Sequence, residues 1–446
     1  MKPKTIMLIH KLNIYKTLLP FTADFSHSRR KGDYAENVIV EVITGDGEIA
    51  GYGEAAPRPY VTGESQESTA RNIRHFLYKS AFPWEIKDVS QIWAFIDCLP
   101  CEKKVNSAVC ALEMSLLDTL AKSQNKSVTD YFPKDYYTDR IYYGAGIPFA
   151  NSRRIVEICR FIKKMKINRV KIKMGKDFSA NREAIEAVNS VFGDTCDLKI
   201  DINMVWNPEC ALKHVPLIKK YKVKVVEQPM PPGDESIGPF SEVLQDNGVI
   251  LMADESACTM KDIEKILKKG HYEIINVRLS KCGGFKRSMR IIEYLRANGI
   301  SFQIASHLGE SGILSSAGRA LSLLCKDTLY YDGSYDEFLL KENATMENVT
   351  FGPYGWAGPL KQIRLRQPPS QRLWRVKGYG GYPFRIHQRP SGRGFLRRRV
   401  KYSIILSVKD SMVYSGGIKP TDRPIFRAVS AVTGPIQATA IRDIHS

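Results

Sequence analysis

Three observations in the sequence predict an α/β protein, a (β/α)7β TIM-like barrel preceded by an N-terminal α+β capping domain. Short apolar strands alternate with helical segments from Tyr142 onward, and eight such strands favour a closed barrel over an open sheet. Charged residues follow these strands at steps of 28, 26, 27 and 27 residues from Lys173 to Lys281. The first 125 residues contain strands followed by helices instead, which is typical of an α+β domain.

The N-terminal region contains two predicted strands, a loop and a helix. Residues 5–15 alternate like a strand, and residues 37–44 form a stronger strand that a Gly-Asp-Gly turn closes. Residues 51–65 are rich in Gly and Pro, which predicts a loop able to approach a ligand. Residues 107–123 have helical periodicity. We therefore assign residues 1–125 to the capping domain and residues 126–360 to the barrel with a return segment.

The barrel region contains eight predicted strands, and crossover helices between them imply that they are parallel. The strands are residues 141–147, 169–174, 198–202, 223–227, 250–253, 274–279, 301–305 and 329–331. In such a barrel the functional groups lie at the carboxyl ends of the strands.

Three acidic residues come directly after apolar runs, namely Asp201, Glu227 and Asp254. Each one alone is compatible with the start of a solvated loop, but three in register on successive strands favour a shared site. Converging carboxylates need a compensating cation, and Mg²⁺ prefers oxygen ligands. The sequence thus predicts an Mg²⁺ site, with Mn²⁺ as an alternative metal.

Lysines lie on both sides of these acids. Lys171 and Lys173 are two residues apart on a predicted strand, so they share one face. A basic surface strand is the alternative interpretation, but Lys281 lies about four strands further around the barrel and would face Lys173 across a substrate. Repulsion and the metal would lower the lysine pKa values and make a neutral amine available as a base. A metal ion with two opposed lysines suits removal of a proton α to a carboxylate, followed by racemisation, elimination or lactone ring opening.

Five motifs carry a family resemblance. They are Lys171-x-Lys173, Asp201-x-Asn203, Glu227-Gln228-Pro229, Ala253-Asp254-Glu255-Ser256 and Lys281-Cys282-Gly283-Gly284. Together they resemble the signature of the enolase superfamily, in the muconate-lactonizing branch that also holds dipeptide epimerases, N-acylamino-acid racemases and o-succinylbenzoate synthases. The resemblance covers residues 5–360. It implies that Lys173 and Lys281 are the bases, that the three acids bind the metal, and that Lys171 and Asn203 support them.

Substrate-binding residues are predicted on lid loops of the capping domain, residues 21–30 and 58–64. Arg58 and Tyr60 are candidates for binding a carboxylate or a ring, although loop residues are equally often solvated. Dipeptide epimerases of the branch tend to have Asp-x-Asp after the last strand, whereas this chain keeps only the second acid, Asp332. Glu310 is a candidate partner of Lys281 or of the substrate. His307 is interpreted as structural, because two bases are already assigned.

The resemblance implies an Mg²⁺-dependent isomerase that passes through an enediolate and racemises or epimerises an amino-acid derivative or dipeptide. A muconate-type cycloisomerase and an o-succinylbenzoate synthase-like lyase are the alternatives. Nine scattered cysteines and the lack of a long apolar run predict a cytoplasmic protein with reduced thiols and no membrane segment. A small carboxylate is the expected partner, nucleic acid is not expected, and a homo-oligomer is left open.

The last 86 residues are unlike the rest of the chain. The formal net charge is +19, but residues 361–446 carry 18 Lys and Arg against 3 Asp and Glu, which leaves 48 against 44 for residues 1–360. Family members continue past a segment like Phe351–Leu360 with a glycine-rich run, whereas this chain has Gln-Ile-Arg-Leu-Arg. Synonymous codons for that pentapeptide (CAG ATC CGG CTT CGG) read Arg-Ser-Gly-Phe-Gly when shifted by one base. We therefore hypothesise a frameshifted or chimeric, poorly ordered C-terminus, which gene sequencing would test.

Two alternatives for this region remain. A cluster of arginines can neutralise phosphates, so residues 361–446 could form a nucleic-acid-binding tail on a non-catalytic protein. Salt-dependent retention on DNA that disappears when these residues are deleted would favour that alternative. The protein could also bind the metal but lack catalytic activity. Thermal melting with and without Mg²⁺, together with an activity assay, would reveal this.

Overall fold

A computed structural model describes residues 6–22, 33–45 and 48–360 of the chain. The N-terminal part is a four-stranded antiparallel sheet of order β3-β2-β1-β4 with three helices. Its elements are β1 (Met7–Pro20), β2 (Tyr34–Thr44), β3 (Ala50–Ala55), α1 (Gln66–Lys79), β4 (Glu85–Ile86), α2 (Val89–Asp97) and α3 (Asn106–Ser123). The predicted α+β capping domain is confirmed, whereas most of the predicted lid at residues 21–30 and all of residues 361–446 lie outside the described residues.

The loop predicted from residue 51 is wrong at its start, because residues 50–55 form β3. The glycines there serve close packing rather than a turn. A β-carbon added to Gly53 would lie 2.0 Å from the carbonyl oxygen of Ala111 in α3, and one on Gly51 would lie 2.4 Å from the Thr119 nitrogen. Glycine therefore lets α3 lie directly on the sheet.

The second part is the barrel. Its strands are β6 (Ala145–Ile147), β7 (Arg169–Lys173), β8 (Asp197–Asp201), β9 (Val225–Glu227), β10 (Ile250–Ala253), β11 (Ile274–Val277), β12 (Ser301–Ala305) and β13 (Tyr330–Asp332), preceded by β5 (Ile141–Tyr142). Strands β6 to β13 are parallel neighbours in chain order, and a hydrogen bond of 2.8 Å from the Gly144 N–H to the Tyr331 carbonyl oxygen joins the first strand to the last. The predicted eight-stranded barrel is confirmed.

Helices follow the barrel strands. They are α4 (Ser152–Lys164), α5 (Phe178–Phe192), α6 (Pro208–Lys220), α7 (Ile237–Gln245), α8 (Met260–Lys269), α9 (Leu279–Cys282), α10 (Phe285–Ala297), α11 (Gly312–Leu323) and α12 (Asp336–Leu339). The predicted opening strand, residues 141–147, is two strands. Its first half, β5, pairs antiparallel with β14 (Trp356–Ala357) in a separate two-stranded sheet, because the return segment reaches back to it.

The barrel interior contains a buried polar layer. Lys199 is 1% exposed and its Nζ lies 3.1 Å from Asp332 Oδ2, while Gln303 is also fully buried. Buried charges of this kind must be paired to be tolerated. The layer lies under the strand ends, so it supports the side chains at the barrel mouth.

The capping domain contacts the barrel at the loops after β10 and β11. The Asn106 side chain donates to the carbonyl oxygens of Cys258 and Lys281 at 2.9 and 2.7 Å. Glu113 accepts the N–H groups of Phe285 and Lys286 at the N-terminus of α10, where a carboxylate is favourable. All nine cysteines are free, and no helix among the described residues has the length and apolarity needed to span a membrane.

Candidate active site

The near wall of the barrel mouth is formed by the ends of β7, β8 and β9. Parallel pairing places Lys173 beside Asp201 and Asp201 beside Glu227. The Lys173 Nζ lies 2.6 Å from Asp201 Oδ2 and 2.8 Å from Asn203 Oδ1. The Lys171 Nζ lies 3.1 Å from Glu227 and 3.8 Å from Asp201. Five residues predicted from the sequence thus meet here.

The far wall is formed by the residues that follow β11 and β12, among them Arg278, which the sequence analysis missed. Its guanidinium pairs with Asp254 and lies 3.3 Å from Glu227 Oε1. Since β7 and β11 are the second and sixth of eight strands, Arg278 lies across the barrel from Lys173. A sequence signal was present, because Arg278 directly follows the apolar strand Ile274–Val277, just as the three acids follow apolar runs.

Lys281 does not occupy the predicted place opposite Lys173. It lies in α9, three residues beyond Arg278, and its side chain is 0% exposed, against 24% for Lys173. Its Nζ donates to the Asp254 carbonyl oxygen, Asp254 Oδ1 and the Asn276 carbonyl oxygen at 2.8, 3.0 and 2.5 Å. All three N–H bonds of the ammonium group are thereby used, so Lys281 holds Asp254 from behind instead of facing the cavity.

The charges at the mouth compensate one another. Burial alone would raise the pKa of Asp201, but Lys173 and Lys171 lower it. Burial would also raise the pKa of Asp254, but Arg278 and Lys281 lower it. For Glu227 the outcome is the opposite, because burial and Asp201 raise its pKa.

Two further groups at the mouth have shifted pKa values. The expected lowering does not hold for Lys171, because Glu227, Asp332 and Asp201 outweigh burial and raise its pKa. Burial, Asp254 and Asp201 raise the pKa of Glu255 to about 8.

The three acidic residues carry the type of ligand atom that a divalent cation prefers. Lys171 bridges Asp201 and Glu227, and Arg278 bridges Glu227 and Asp254, so all three carboxylates already converge on positive charge. Hard carboxylate oxygens are the ligands that Mg²⁺ prefers. Within the described residues no group of three His, Cys, Asp or Glu side chains is preformed around one ion, because the amines and the guanidinium lie between them. The metal-binding role of these acids remains a prediction.

Arg58 does not line the cavity at the barrel mouth. It is 0% exposed, and its guanidinium donates to the carbonyl oxygens of Glu36, Pro57 and Leu308 and to Asn37 Oδ1. Burial with these partners makes it a clamp between the capping domain and the loop after β12. Tyr60, in contrast, is partly exposed and lines the cavity at the mouth, as expected for a residue that contacts substrate.

Asp332 and Glu310 are also engaged elsewhere. Asp332 is 4% exposed and lies 3.0 Å from the Lys171 Nζ and 3.1 Å from the Lys199 Nζ, so it belongs to the polar layer and does not line the cavity. Glu310 accepts the His307 N–H at 2.6 Å, and burial raises its pKa to about 8. It shapes the loop after β12 and does not line the cavity.

A cavity of about 510 Å³ opens between the two walls. Its polar lining includes Tyr60, Lys171, Lys173, Asn203, Arg278 and His307. Its apolar side continues into a groove lined by Phe161, Phe338 and Phe351. This is the size and character of a site for a small organic molecule.

Family comparisons match both parts of the described chain. Residues 16–132 match the mandelate racemase/muconate lactonizing enzyme N-terminal domain, and residues 154–352 match the enolase C-terminal domain-like family. The chain therefore belongs to the enolase superfamily.

Individual relatives are similar over most of their length. A hydrophobic dipeptide epimerase from Enterococcus faecalis is 25% identical over 332 residues, which is 72% of this chain and 88% of the relative. An N-succinyl-L-Arg/Lys racemase from Bacillus cereus is 25% identical over 70% of this chain and 83% of its own.

Solved structures share the fold. The E. faecalis dipeptide epimerase complexed with Mg and L-Leu-L-Tyr has a TM-score of 0.70 at 22% identity, and covers 80% of this chain and 98% of its own. The B. cereus racemase has a TM-score of 0.71 at 23% identity, and covers 81% of this chain and 96% of its own.

Proposed function

We propose that this member of the enolase superfamily removes the α-proton of a small carboxylate substrate in an Mg²⁺-dependent reaction and thereby racemises or epimerises an amino-acid derivative or dipeptide. One observation carries the proposal. The Lys173 amine lies on the cavity wall beside Asp201, while Glu227 and Asp254 pair with Arg278 at the same barrel mouth. The named relatives, which are epimerases and racemases, support the same reaction.

The residues at the barrel mouth divide the work. Asp201, Glu227 and Asp254 would hold Mg²⁺, or Mn²⁺ in its place, and the bound ion would supply positive charge beside the substrate carboxylate. Lys173 takes the α-proton, and Asn203 keeps the amine in position through the 2.8 Å contact. Lys171 adds positive charge next to Glu227.

The lining of the cavity favours a substrate with an apolar side chain and an acylated nitrogen. Three phenylalanines line the groove, and Glu157, the sole acidic residue on the described cavity wall, lies 3.0 Å from the Arg154 guanidinium. A dipeptide and an N-acylamino acid both present an acylated nitrogen next to the reacting carbon. They differ in a free ammonium group, for which the described part of the cavity wall has no unpaired acid, so we propose the N-acylamino acid.

Deuterium incorporation tests this proposal. The Mg²⁺-loaded protein is incubated in D₂O with N-acetyl-L-phenylalanine, N-acetyl-D-phenylalanine, L-Ala-L-Phe and L-Ala-D-Phe, and the α-position is followed by NMR. We expect exchange and interconversion, faster for the N-acetyl pair than for the dipeptides. Lys173→Ala should abolish interconversion, with Lys176→Ala as the matched control on the same side of the barrel. No exchange with any of these substrates would reject the proposal.

A muconate-type cycloisomerase or an o-succinylbenzoate synthase-like lyase is the second candidate, and Arg278 favours it. Ring closure or elimination needs one proton carrier, whereas inversion needs one on each face of the substrate. An arginine on the far wall supplies charge without releasing a proton. Conversion of a muconate or of a cyclohexadiene carboxylate, without interconversion of the amino-acid enantiomers, would identify this reaction.

A cytoplasmic setting remains part of the proposal, and the nine free cysteines support it. A small molecule is the proposed partner, in keeping with the dipeptide named with the solved relative.

A further inference from the structure

The backbone directly after Lys173 is held by one side chain of the neighbouring helix. Strand β7 ends at Lys173, and Gly175 follows two residues later. The Asn181 amide, in α5, accepts the Gly175 N–H at 2.9 Å and donates to the Gly175 carbonyl oxygen at 2.8 Å. Asn181 thus pairs with both polar backbone groups of Gly175, as a neighbouring strand would. Gly175 and Lys173 also line a cavity of about 390 Å³, so this backbone is not packed on all sides and depends on these hydrogen bonds.

Trp206 and His214 complete the support of this loop. The Trp206 indole N–H donates to the same Gly175 carbonyl oxygen at 2.7 Å, and His214 Nε2 lies 2.9 Å from Asn181 Nδ2. The two rings are stacked, with centroids 4.3 Å apart. Asn181, Trp206 and His214 are all buried. Three side chains, from α5, the loop after β8 and α6, therefore form one connected network that ends on a single glycine.

The hydrogen bonds fix the protonation state of His214. Its Nδ1 lies 2.6 Å from the Cys210 carbonyl oxygen, which can only accept, so Nδ1 carries a hydrogen. In the neutral ring Nε2 is then an acceptor, and it takes an N–H of Asn181. The second N–H of the same amide goes to the Gly175 carbonyl oxygen. Neutral His214 and Gly175 therefore require the same orientation of the Asn181 amide.

The surroundings of the ring also favour its neutral form. Burial and Lys213 lower the pKa of His214 and outweigh the Cys210 carbonyl oxygen, which raises it. From α5, the Phe178 ring meets the imidazole edge-on at a centroid distance of 5.0 Å. No carboxylate pairs with the imidazole within the described part of the chain. The other charged groups near this end of α6, one of each sign, are Lys176 in the loop after β7 and Glu209.

We propose that Asn181 and His214 are positioning residues for Lys173, an inference that rests on the proposed function for the role of that lysine. A protonated His214 would direct an N–H at the Asn181 N–H, and two donors repel each other. Turning the amide to relieve this conflict would direct its N–H at the Gly175 N–H and its oxygen at the Gly175 carbonyl oxygen. Protonation of His214 therefore releases the backbone that carries Lys173, and the site is sensitive to acid.

Hydrogen exchange of the Gly175 amide tests the network without turnover. In the wild type, protection of this amide should fall by about fivefold or more, the weight of one hydrogen bond, as the pH is lowered from about 7 to about 4.5, below the usual range of a histidine. His214→Gln cannot take up a proton, but its side-chain oxygen can accept from Asn181, so this variant should keep the protection. Asn181→Leu should lose it at every pH. Asn189→Leu, further along α5, is the matched control.

Kinetics test the link to Lys173. With the Mg²⁺-loaded protein and N-acetyl-phenylalanine in D₂O, Asn181→Leu should lower kcat for α-hydrogen exchange by about tenfold to 10²-fold, the effect of a small displacement of a reacting group. KM should change little, because the substrate does not contact Asn181. Asn189→Leu should keep the wild-type kcat.

Several outcomes would overturn the inference. They are a wild-type kcat in Asn181→Leu, Gly175 protection that does not depend on pH, or the same loss of protection in His214→Gln as in the wild type. If Asn181→Leu does not fold, the comparison of wild type with His214→Gln still decides. Absence of α-hydrogen exchange in the wild type would reject the proposed function, and the positioning role with it.

Discussion

The two walls of the barrel mouth are built by the same rule but differ in chemistry. On the near wall, Lys173, Asp201 and Glu227 end adjacent strands, and Lys173 contacts Asp201 directly. On the far wall, Arg278 and His307 follow β11 and β12, and the lysine expected there is buried behind Asp254. The near wall thus matches a proton-abstracting site, whereas the far wall combines a fixed cation with a histidine. This contrast teaches that strand-end position, rather than residue type, decides which side chains reach the substrate.

The largest expected effect is the difference in stability and turnover between variants of Lys281 and of Lys173. Lys281→Met leaves the buried Asp254 carboxylate without one of its partners, so we expect a loss of about 3–5 kcal/mol in the free energy of unfolding. Lys173→Ala should lose less stability, because its side chain is 24% exposed and Lys171 remains 3.8 Å from Asp201, and it should lose about 10³-fold or more in turnover. Urea unfolding and deuterium exchange on both variants measure the contrast. A Lys281→Met protein with wild-type stability and no exchange would restore Lys281 as a base.

A second contrast is between Arg58 and Tyr60, which the sequence places in one lid. Arg58→Ala should lower the free energy of unfolding by about 3 kcal/mol, because several carbonyl oxygens lose their buried donor. Tyr60→Ala should leave the melting temperature unchanged and raise KM. Thermal melting and steady-state kinetics of both variants are the measurements. If the two variants changed KM equally and neither changed the melting temperature, Arg58 would not act as a clamp.

The third prediction concerns the cation on the far wall. Because Arg278 occupies the oxygens of Glu227 and Asp254, Mg²⁺ must compete with it. Arg278→Gln should therefore tighten Mg²⁺ binding by about tenfold, or about 1.4 kcal/mol, as measured by calorimetric titration. Arg290→Gln, an exposed arginine beside Asp97, is the control. Weaker Mg²⁺ binding by Arg278→Gln would show that the guanidinium does not compete.

The smallest expected effect is a pH dependence where the capping domain holds the far wall. Burial raises the pKa of Glu113 from 4.5 to about 7. The folded state then binds more protons than the unfolded state between these values, so stability falls as the pH rises through them. Glu113→Gln should reduce this fall by about 1 kcal/mol in urea unfolding at acidic and at mildly alkaline pH. The exposed Glu67→Gln is the control, and an unchanged pH profile in Glu113→Gln would contradict the prediction.

The sequence alone determined the barrel, the α+β domain and the near wall. Apolar strands alternate with helices, and a charged residue directly after such a strand must point toward the mouth, so Asp201, Glu227, Asp254 and Lys173 could be found without coordinates. The sequence could not reveal that Asp332 pairs with two lysines or that Arg58 is buried, because the partners of these residues lie far apart in the chain.

Only the tertiary structure decided the far wall. A lysine three residues beyond a strand and an arginine directly after it look equally suited to face a substrate when only the sequence is known. The turn of α9 directs Lys281 toward backbone carbonyl oxygens and leaves Arg278 at the cavity. The physical reason is that a side chain's direction depends on the backbone turn that carries it and on the partners that bury it.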